Sequence, residues 1–183
     1  MLLDLTLPIT PRLWQEAKTL NDPALEGHLG THFDVMEQVF PLEFTRRKGI
    51  VFDVSRRQGE EITLEEEELA RIEAGMFVGF FGDYGEKVGY GNPGYFSAHP
   101  VLSYELIEAL LSKNISVIGL DFAGIRRTPE HIPADRRCAE QGVFVVENLV
   151  NLQDLVGKSF TAHIYPMALK GVTGLPCRVI AEL

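Results

Sequence analysis

The sequence predicts a single α/β domain over residues 1–183, built on a mixed sheet. Short apolar, β-branched segments alternate with segments that have helix signals, a pattern typical of α/β proteins. The chain then closes with a strand-rich tail, which points to a mixed rather than a purely parallel sheet. A length of 183 residues with 45% hydrophobic and 23% charged residues suits one packed domain.

The first predicted elements lie between residues 50 and 75. Residues 50–55, Ile-Val-Phe-Asp-Val-Ser, predict a strand because they are apolar and largely β-branched or aromatic. After a turn at Gly59, Thr63 and Glu66 have the spacing of a capping box at the start of a helix. Gly75 is a suitable C-terminal residue for that helix, because glycine readily adopts the left-handed conformation found there.

Further strands and one more helix are predicted downstream. Ser103 is expected to cap a helix that extends to about Lys113. The tail, residues 160–183, is expected to form two strands joined around 171–174. Short apolar runs typical of buried strands occur at 76–81, 115–120 and 143–146.

Composition and charge restrict the class of partner. With 17 basic and 26 acidic residues the net charge is −9, which disfavours nucleic acid because its backbone is also negative. No apolar stretch approaches the roughly 18 residues that a membrane span needs, and the N-terminus lacks signal-peptide features. The cysteines, Cys138 and Cys177, are too few for a disulfide framework. We therefore expect a cytoplasmic protein that acts on a small molecule, without nucleic acid or membrane partners.

Residues 27–34, Gly-His-Leu-Gly-Thr-His-Phe-Asp, contain the residue types of a metal site. If the segment is an extended strand, His28, Gly30, His32 and Asp34 point to one face, because side chains alternate along a strand. Two neutral imidazoles and a carboxylate suit Zn²⁺, Mn²⁺ or Fe²⁺. The same spacing also fits a half-exposed strand with a polar face, and on spacing alone both interpretations stay open.

The string His28-Leu-Gly-Thr-His32-Phe-Asp34 resembles the HxGTHxD signature of the metal-dependent cyclase family, which includes kynurenine formamidases and isatin hydrolases. The resemblance implies a swivelling β/β/α fold, a homodimer or larger homo-oligomer, and hydrolysis of a small amide, formamide or lactam. It also implies that Glu147, which alone would be interpreted as a strand-end surface residue, is a fourth metal ligand for Zn²⁺ or Mn²⁺. Other segments similar to the family lie at 4–8, 51–55, 119–121, 147–149 and 165–181.

Three positions depart from the family pattern. The family signature continues as HxGTHxDxPxH, but this chain has Met36 and Gln38 at its last two defined positions. The family also places a histidine twelve residues before the glutamate, where this chain has Asp135. Both histidines that the family associates with a second metal or with proton transfer are therefore absent. We predict a single-metal centre in which Asp135 and Glu147 are the candidates for proton transfer.

The histidine and aromatic residues outside the signature receive weaker assignments. Asp135 is a poor general base at its usual pKa of about 3.9 unless its surroundings raise that pKa. His131 is a less favoured substitute because it lies four residues from the expected position, and His99 and His163 are predicted to be structural. Candidates for an aromatic pocket, each individually better explained as a core residue, are Trp14, Phe33, Phe40, Tyr84 and Tyr95.

Two functions follow from these observations. The intact signature favours a hydrolase that acts through metal-activated water. The missing histidines favour a catalytically impaired homologue that binds a metal or small ligand without turnover.

Overall fold

The computed structural model describes residues 1–20, 27–57, 61–92 and 94–183. The helices are α1 (Pro11–Leu20), α2 (Glu66–Ala70), α3 (Tyr84–Val88), α4 (Tyr104–Ser112) and α5 (His131–Glu140). The strands are β1 (Leu2–Asp4), β2 (His32–Asp34), β3 (Arg46–Asp53), β4 (Glu61–Ile62), β5 (Phe77–Phe81), β6 (Val101–Leu102), β7 (Val117–Leu120), β8 (Phe144–Glu147), β9 (Phe160–Pro166) and β10 (Gly174–Glu182).

Seven of the strands form a sheet that closes on itself. Its order is β10-β2-β8-β7-β5-β3-β9, and β9 pairs back onto β10. Strands β3, β5, β7 and β8 run parallel to one another, whereas β2, β9 and β10 pair antiparallel with their neighbours. Strand β1 extends the sheet by pairing with the end of β10, and β4 and β6 form a separate pair. The predicted α/β class with a mixed sheet is confirmed.

The two faces of the closed sheet bury different hydrophobic clusters. Side chains alternate along each strand, so that Phe144 and Val146 of β8 point inside while Val145 points outside. The interior cluster takes residues from all seven strands, among them Phe33, Val51, Phe77, Val117, Val146, Ala162 and Val179. The exterior cluster packs the parallel strands against α4 and α5 through residues such as Phe80, Ile118, Val145, Leu106, Leu110, Ala134 and Cys138.

This alternation determines where the polar residues at one end of the sheet project. Glu147 is two residues after Val145 and therefore lies on the exterior face of β8. His32 of β2 is its register partner across the antiparallel pair. The exterior face here is covered by α5, so the sheet and that helix together enclose the side chains of β2 and β8.

Most of the elements predicted from local pattern are present. The runs at 76–81, 115–120 and 143–146 form β5, β7 and β8, and the tail forms β9 and β10. Helix α4 begins as predicted, because Ser103 Oγ accepts a hydrogen bond from the backbone N–H of Leu106 at 3.1 Å.

The helix predicted after residue 63 begins later and ends earlier. The Glu68 carboxylate accepts from the backbone N–H of Glu65 at 2.8 Å, so these two residues form the capping box instead of Thr63 and Glu66. The predicted turn at Gly59 lies outside the described residues.

Helix α2 then ends at Ala70 instead of near Gly75, and the N–H of the following residue, Arg71, bonds back to the carbonyls of Glu68 and Leu69. Gly75 has a φ of +76° in the turn before β5. Among the described helices, none is both long and apolar enough to cross a bilayer.

Candidate metal centre

The segment predicted as one extended strand is bent at Gly30. Only residues 32–34 form β2, and His28 lies in the turn that precedes it. Gly30 has a φ of +68°, and a Cβ there would lie 2.4 Å from the Ile9 side chain. The prediction that the polar residues share a strand face is therefore correct for His32 and Asp34 and wrong for His28, which reaches the same place through the turn.

His28, His32 and Asp34 nevertheless form one group of potential ligands, with ligand atoms within 4.8 Å of one another. His28 Nδ1 is 3.0 Å from Asp34 Oδ1, and His32 Nε2 is 3.7 Å from the same oxygen. The second nitrogen of each ring has its own partner. His28 Nε2 lies 3.0 Å from Thr173 Oγ1, and His32 Nδ1 lies 2.8 Å from the Gly30 carbonyl. One nitrogen of each imidazole is thus left facing Asp34, as in histidines that bind metals.

Glu147 reaches the same group from β8. Its side chain is buried, and its Oε2 lies 3.6 Å from His32 Nε2 across the strand pair. The interpretation of Glu147 as a strand-end surface residue is therefore wrong, and its position matches the one that the family resemblance implies.

Helix α5 brings His131 and Asp135 to this centre. Residues four apart on a helix project side by side, and His131 Nε2 is 2.9 Å from Asp135 Oδ2 and 3.2 Å from Glu147 Oε1. With Asp34 they make a second group of four ligand atoms within 4.8 Å of one another. The place of His131 in the centre is not apparent from the sequence alone, because the pattern does not predict α5 and His131 lies four residues from the expected position. The i, i+4 spacing to Asp135 would have indicated the contact had the helix been recognised.

Three carboxylates are buried together in this centre. Among the described residues, Asp34 Oδ2, Glu147 Oε1 and both oxygens of Asp135 lack a hydrogen-bond donor of adequate geometry. Burying an ionised carboxylate without compensation costs several kcal/mol. A divalent cation would offset that cost, and imidazole with carboxylate is a donor set suited to one. The residues present therefore fit a metal ion.

The pKa values of these groups reflect their crowding. Burial and the neighbouring Asp34 raise the pKa of Asp135 to about 7 and raise the pKa of Glu147 well above its usual value. Burial lowers the pKa of His32, so its ring is neutral. Burial also opposes the charged form of His131, but contacts with Asp135, Asp34 and Glu147 outweigh it and raise the pKa of His131. The surroundings of Asp135 therefore supply the raised pKa that a general base requires.

A cavity of about 450 Å³ opens onto the centre. Its polar wall includes His28, His32, His131 and Glu147, while Asp34 and Asp135 are buried behind them. Asp135 is 0% exposed, so it meets the cavity only through His131. A residue that transfers a proton to a substrate must contact it, and Asp135 is too deeply buried to do so.

The aromatic residues of the cavity are not the ones suggested from sequence. Tyr90 and Phe96, from the segment between α3 and β6, line it together with Leu13, Leu29 and Ala123. None of the five suggested residues is among the described residues of the wall. Phe33 lies in the interior cluster with Phe40 packed against it, Tyr84 and Tyr95 lie in the exterior cluster, and Trp14 is exposed on α1.

Met36, Gln38, His99 and His163 are not among the described residues that form the candidate metal centre. Met36 is buried in the interior cluster, and Gln38 is exposed. His99 is buried with Nδ1 2.8 Å from the Pro100 carbonyl, and His163 Nε2 lies 2.8 Å from Glu182 on the neighbouring strand. These contacts agree with the structural roles expected for His99 and His163.

Comparison with known proteins gives both a family and a shared fold. The Cyclase family model (“Putative cyclase”) matches residues 3–126. An uncharacterized protein of Methanocaldococcus jannaschii is 27% identical over 159 residues, which cover 86% of this chain and 79% of that protein.

Two solved structures illustrate the fold. Isatin hydrolase A from Ralstonia solanacearum superposes with a TM-score of 0.78 at 19% identity, covering 99% of this chain and 91% of that one. A predicted metal-dependent hydrolase from Bacillus stearothermophilus superposes with a TM-score of 0.74 at 22% identity, covering 99% and 97%. At such identities the likeness shows a common fold.

Proposed function

This chain belongs to the Cyclase family, and from that premise we propose that it is a metal-dependent hydrolase of a small amide, formamide or lactam. The observation that carries the proposal is the group of histidines and buried carboxylates at the wall of one cavity. The solved structures that share the fold include isatin hydrolases and a predicted metal-dependent hydrolase, which supports the reaction class.

Four side chains would hold the ion. His28 presents Nδ1 and His32 presents Nε2, and the carboxylates of Asp34 and Glu147 face the same space. This set suits Zn²⁺ or Mn²⁺. The chemistry that a divalent ion supplies in such a setting is polarisation of a carbonyl and activation of water. Thr173 and the Gly30 carbonyl keep the two imidazoles in place through their other nitrogens.

His131 would move the proton that amide cleavage requires. The leaving nitrogen must gain a proton, and His131 is the imidazole of α5 that reaches the cavity wall. Its Nε2 lies between the carboxylates of Asp135 and Glu147, which favour the protonated ring. Asp135 would act as a positioning residue that orients His131 from behind. One divalent ion and one protonated His131 would together balance the charge of Asp34, Asp135 and Glu147, which supports a single-ion centre.

The alternative function, a homologue that binds without turnover, rested on the absence of an imidazole for proton transfer. His131 would supply that imidazole, which supports the hydrolase. The test is hydrolysis of N-formylkynurenine and isatin, with a wider set of formamides and lactams, by protein loaded with Zn²⁺ or Mn²⁺. We expect turnover of at least one compound that is lost on chelation. Stoichiometric metal binding without turnover of any compound would support the alternative instead.

A further inference from the structure

Gly30 is held at both of its backbone groups by side chains. Its carbonyl accepts a hydrogen bond from Asn148 Nδ2 at 2.9 Å and lies 2.8 Å from His32 Nδ1. Its N–H donates to the Tyr90 hydroxyl at 2.9 Å. A carbonyl oxygen has two lone pairs and can accept from both donors. Because a carbonyl oxygen can only accept, its contact with His32 Nδ1 favours the tautomer with the proton on Nδ1.

Asn148 is the buried group that directs the Gly30 carbonyl. It follows Glu147 at the end of β8 and is 2% exposed. Its Oδ1 accepts from the Tyr95 hydroxyl at 2.8 Å, so its Nδ2 is turned towards Gly30. Burial raises the pKa of Tyr95, which keeps that hydroxyl protonated as a donor. The Asn148 carbonyl also accepts from Thr31 Oγ1 at 2.8 Å, tying the same loop to β8 a second time.

We infer that Asn148 is a positioning residue of the metal centre: by sharing the Gly30 carbonyl with His32, it holds that imidazole in the tautomer that leaves Nε2 free for a metal. The inference rests on the proposed function, in which His32 binds the ion through Nε2. A neutral imidazole has one N–H, and donation from Nδ1 leaves the lone pair on Nε2. Groups that orient ligand histidines in this way typically contribute about 10–100-fold to metal affinity.

If Asn148 served only to hold the backbone conformation, its replacement by glycine would change neither the His32 tautomer nor the Zn²⁺ affinity. Asn148 has a φ of +58°, a left-handed conformation that asparagine tolerates better than most residues. Asn148→Gly keeps that backbone conformation accessible while removing the side chain that carries the amide. Asn151 provides a matched control, because it has a φ of +61° and its Nδ2 donates at 2.8 Å to the Asp4 carbonyl instead of to Gly30.

The experiment reads the tautomer first in protein stripped of metal. Nitrogen NMR of ¹⁵N-histidine-labelled wild type, Asn148→Gly and Asn151→Gly would be recorded, with His32 assigned from a His32→Gln spectrum. We expect His32 to be a single Nδ1–H tautomer in wild type and Asn151→Gly, and a mixture of both tautomers in Asn148→Gly. Zn²⁺ affinity, measured by competition with a chelator, should weaken about 10–100-fold in Asn148→Gly alone.

The possible results distinguish failure of this inference from failure of the proposed function. An unchanged tautomer and unchanged Zn²⁺ affinity in Asn148→Gly would overturn the inference. Wild type that shows the Nδ1–H tautomer but binds no Zn²⁺ would overturn the proposed function instead. If Asn148→Gly does not fold, Tyr95→Phe removes the hydrogen bond that orients the amide without changing the backbone. That variant should shift the tautomer population in the same direction, and an unchanged population would again count against Asn148.

Discussion

His131 and Asp135 lie one turn apart on α5, with His131 Nε2 2.9 Å from Asp135 Oδ2. The family pattern that the sequence resembles would have a histidine at the position of Asp135. Helix α5 brings the imidazole of His131 to the centre from the preceding turn, and under the proposed function Asp135 would orient it. Asp135 stands where the sequence pattern leads us to expect an imidazole, and the structure places the imidazole of His131 beside it.

Replacement of His32 should abolish tight metal binding. His32 Nε2 lies within 4 Å of both Asp34 and Glu147, so His32→Ala removes the histidine of the proposed ligand set that faces both carboxylates. Metal analysis after dialysis should find one Zn²⁺ or Mn²⁺ per wild-type chain and none in the variant. His163→Ala, which alters a histidine paired with Glu182, is the control and should retain the ion. Unchanged stoichiometry in His32→Ala would remove the proposed site.

Replacement of His131 should reduce hydrolysis without reducing metal content. Loss of general acid assistance typically lowers the rate by about 10²–10⁴-fold. The measurement is turnover of an active amide together with metal stoichiometry, for wild type and His131→Ala. Two ions in wild type and one in the variant would show instead that His131, Asp135, Glu147 and Asp34 bind a second ion, contrary to the single-ion centre.

Addition of a methyl group at Gly174 should displace His28. A Cβ there would lie 2.6 Å from the Gly27 carbonyl oxygen and 2.7 Å from the His28 ring. Overpacking of this kind typically destabilises a protein by about 1–3 kcal/mol. We expect Gly174→Ala to lower both the free energy of unfolding and the Zn²⁺ affinity. Gly94→Ala, where a Cβ meets nothing within 4 Å, should change neither.

The two predicted capping residues should respond differently to alanine. Ser103 accepts a hydrogen bond at the start of α4, so Ser103→Ala should reduce the free energy of unfolding by about 1 kcal/mol. Thr63 does not cap α2, which begins at Glu66 with Glu65 as its cap. Thr63→Ala should therefore leave chemical denaturation nearly unchanged. Equal losses in both variants would contradict the observed start of α2.

Strands and helix caps could be predicted because their signals are local. β5, β7 and β8 are buried on both faces, and such strands appear as short continuous apolar runs. Ser103 lies directly before the apolar face of α4. Helix α5 is not predicted from the sequence because half of its residues are charged or histidine and Pro133 stands in its first turn, where proline is tolerated but interrupts the helical pattern.

The ligand types at His28, His32 and Asp34 were readable from one segment, because eight consecutive residues carry them. The sequence did not show which distant residues join these ligands, because that depends on strand order and helix packing. Antiparallel pairing of β2 with β8 places Glu147 opposite His32, and α5 then covers both strands. Asn148 contacts Gly30 from 118 positions away, and His131 lies near Asp34 from about 100 positions away. Local sequence patterns do not encode such long-range contacts.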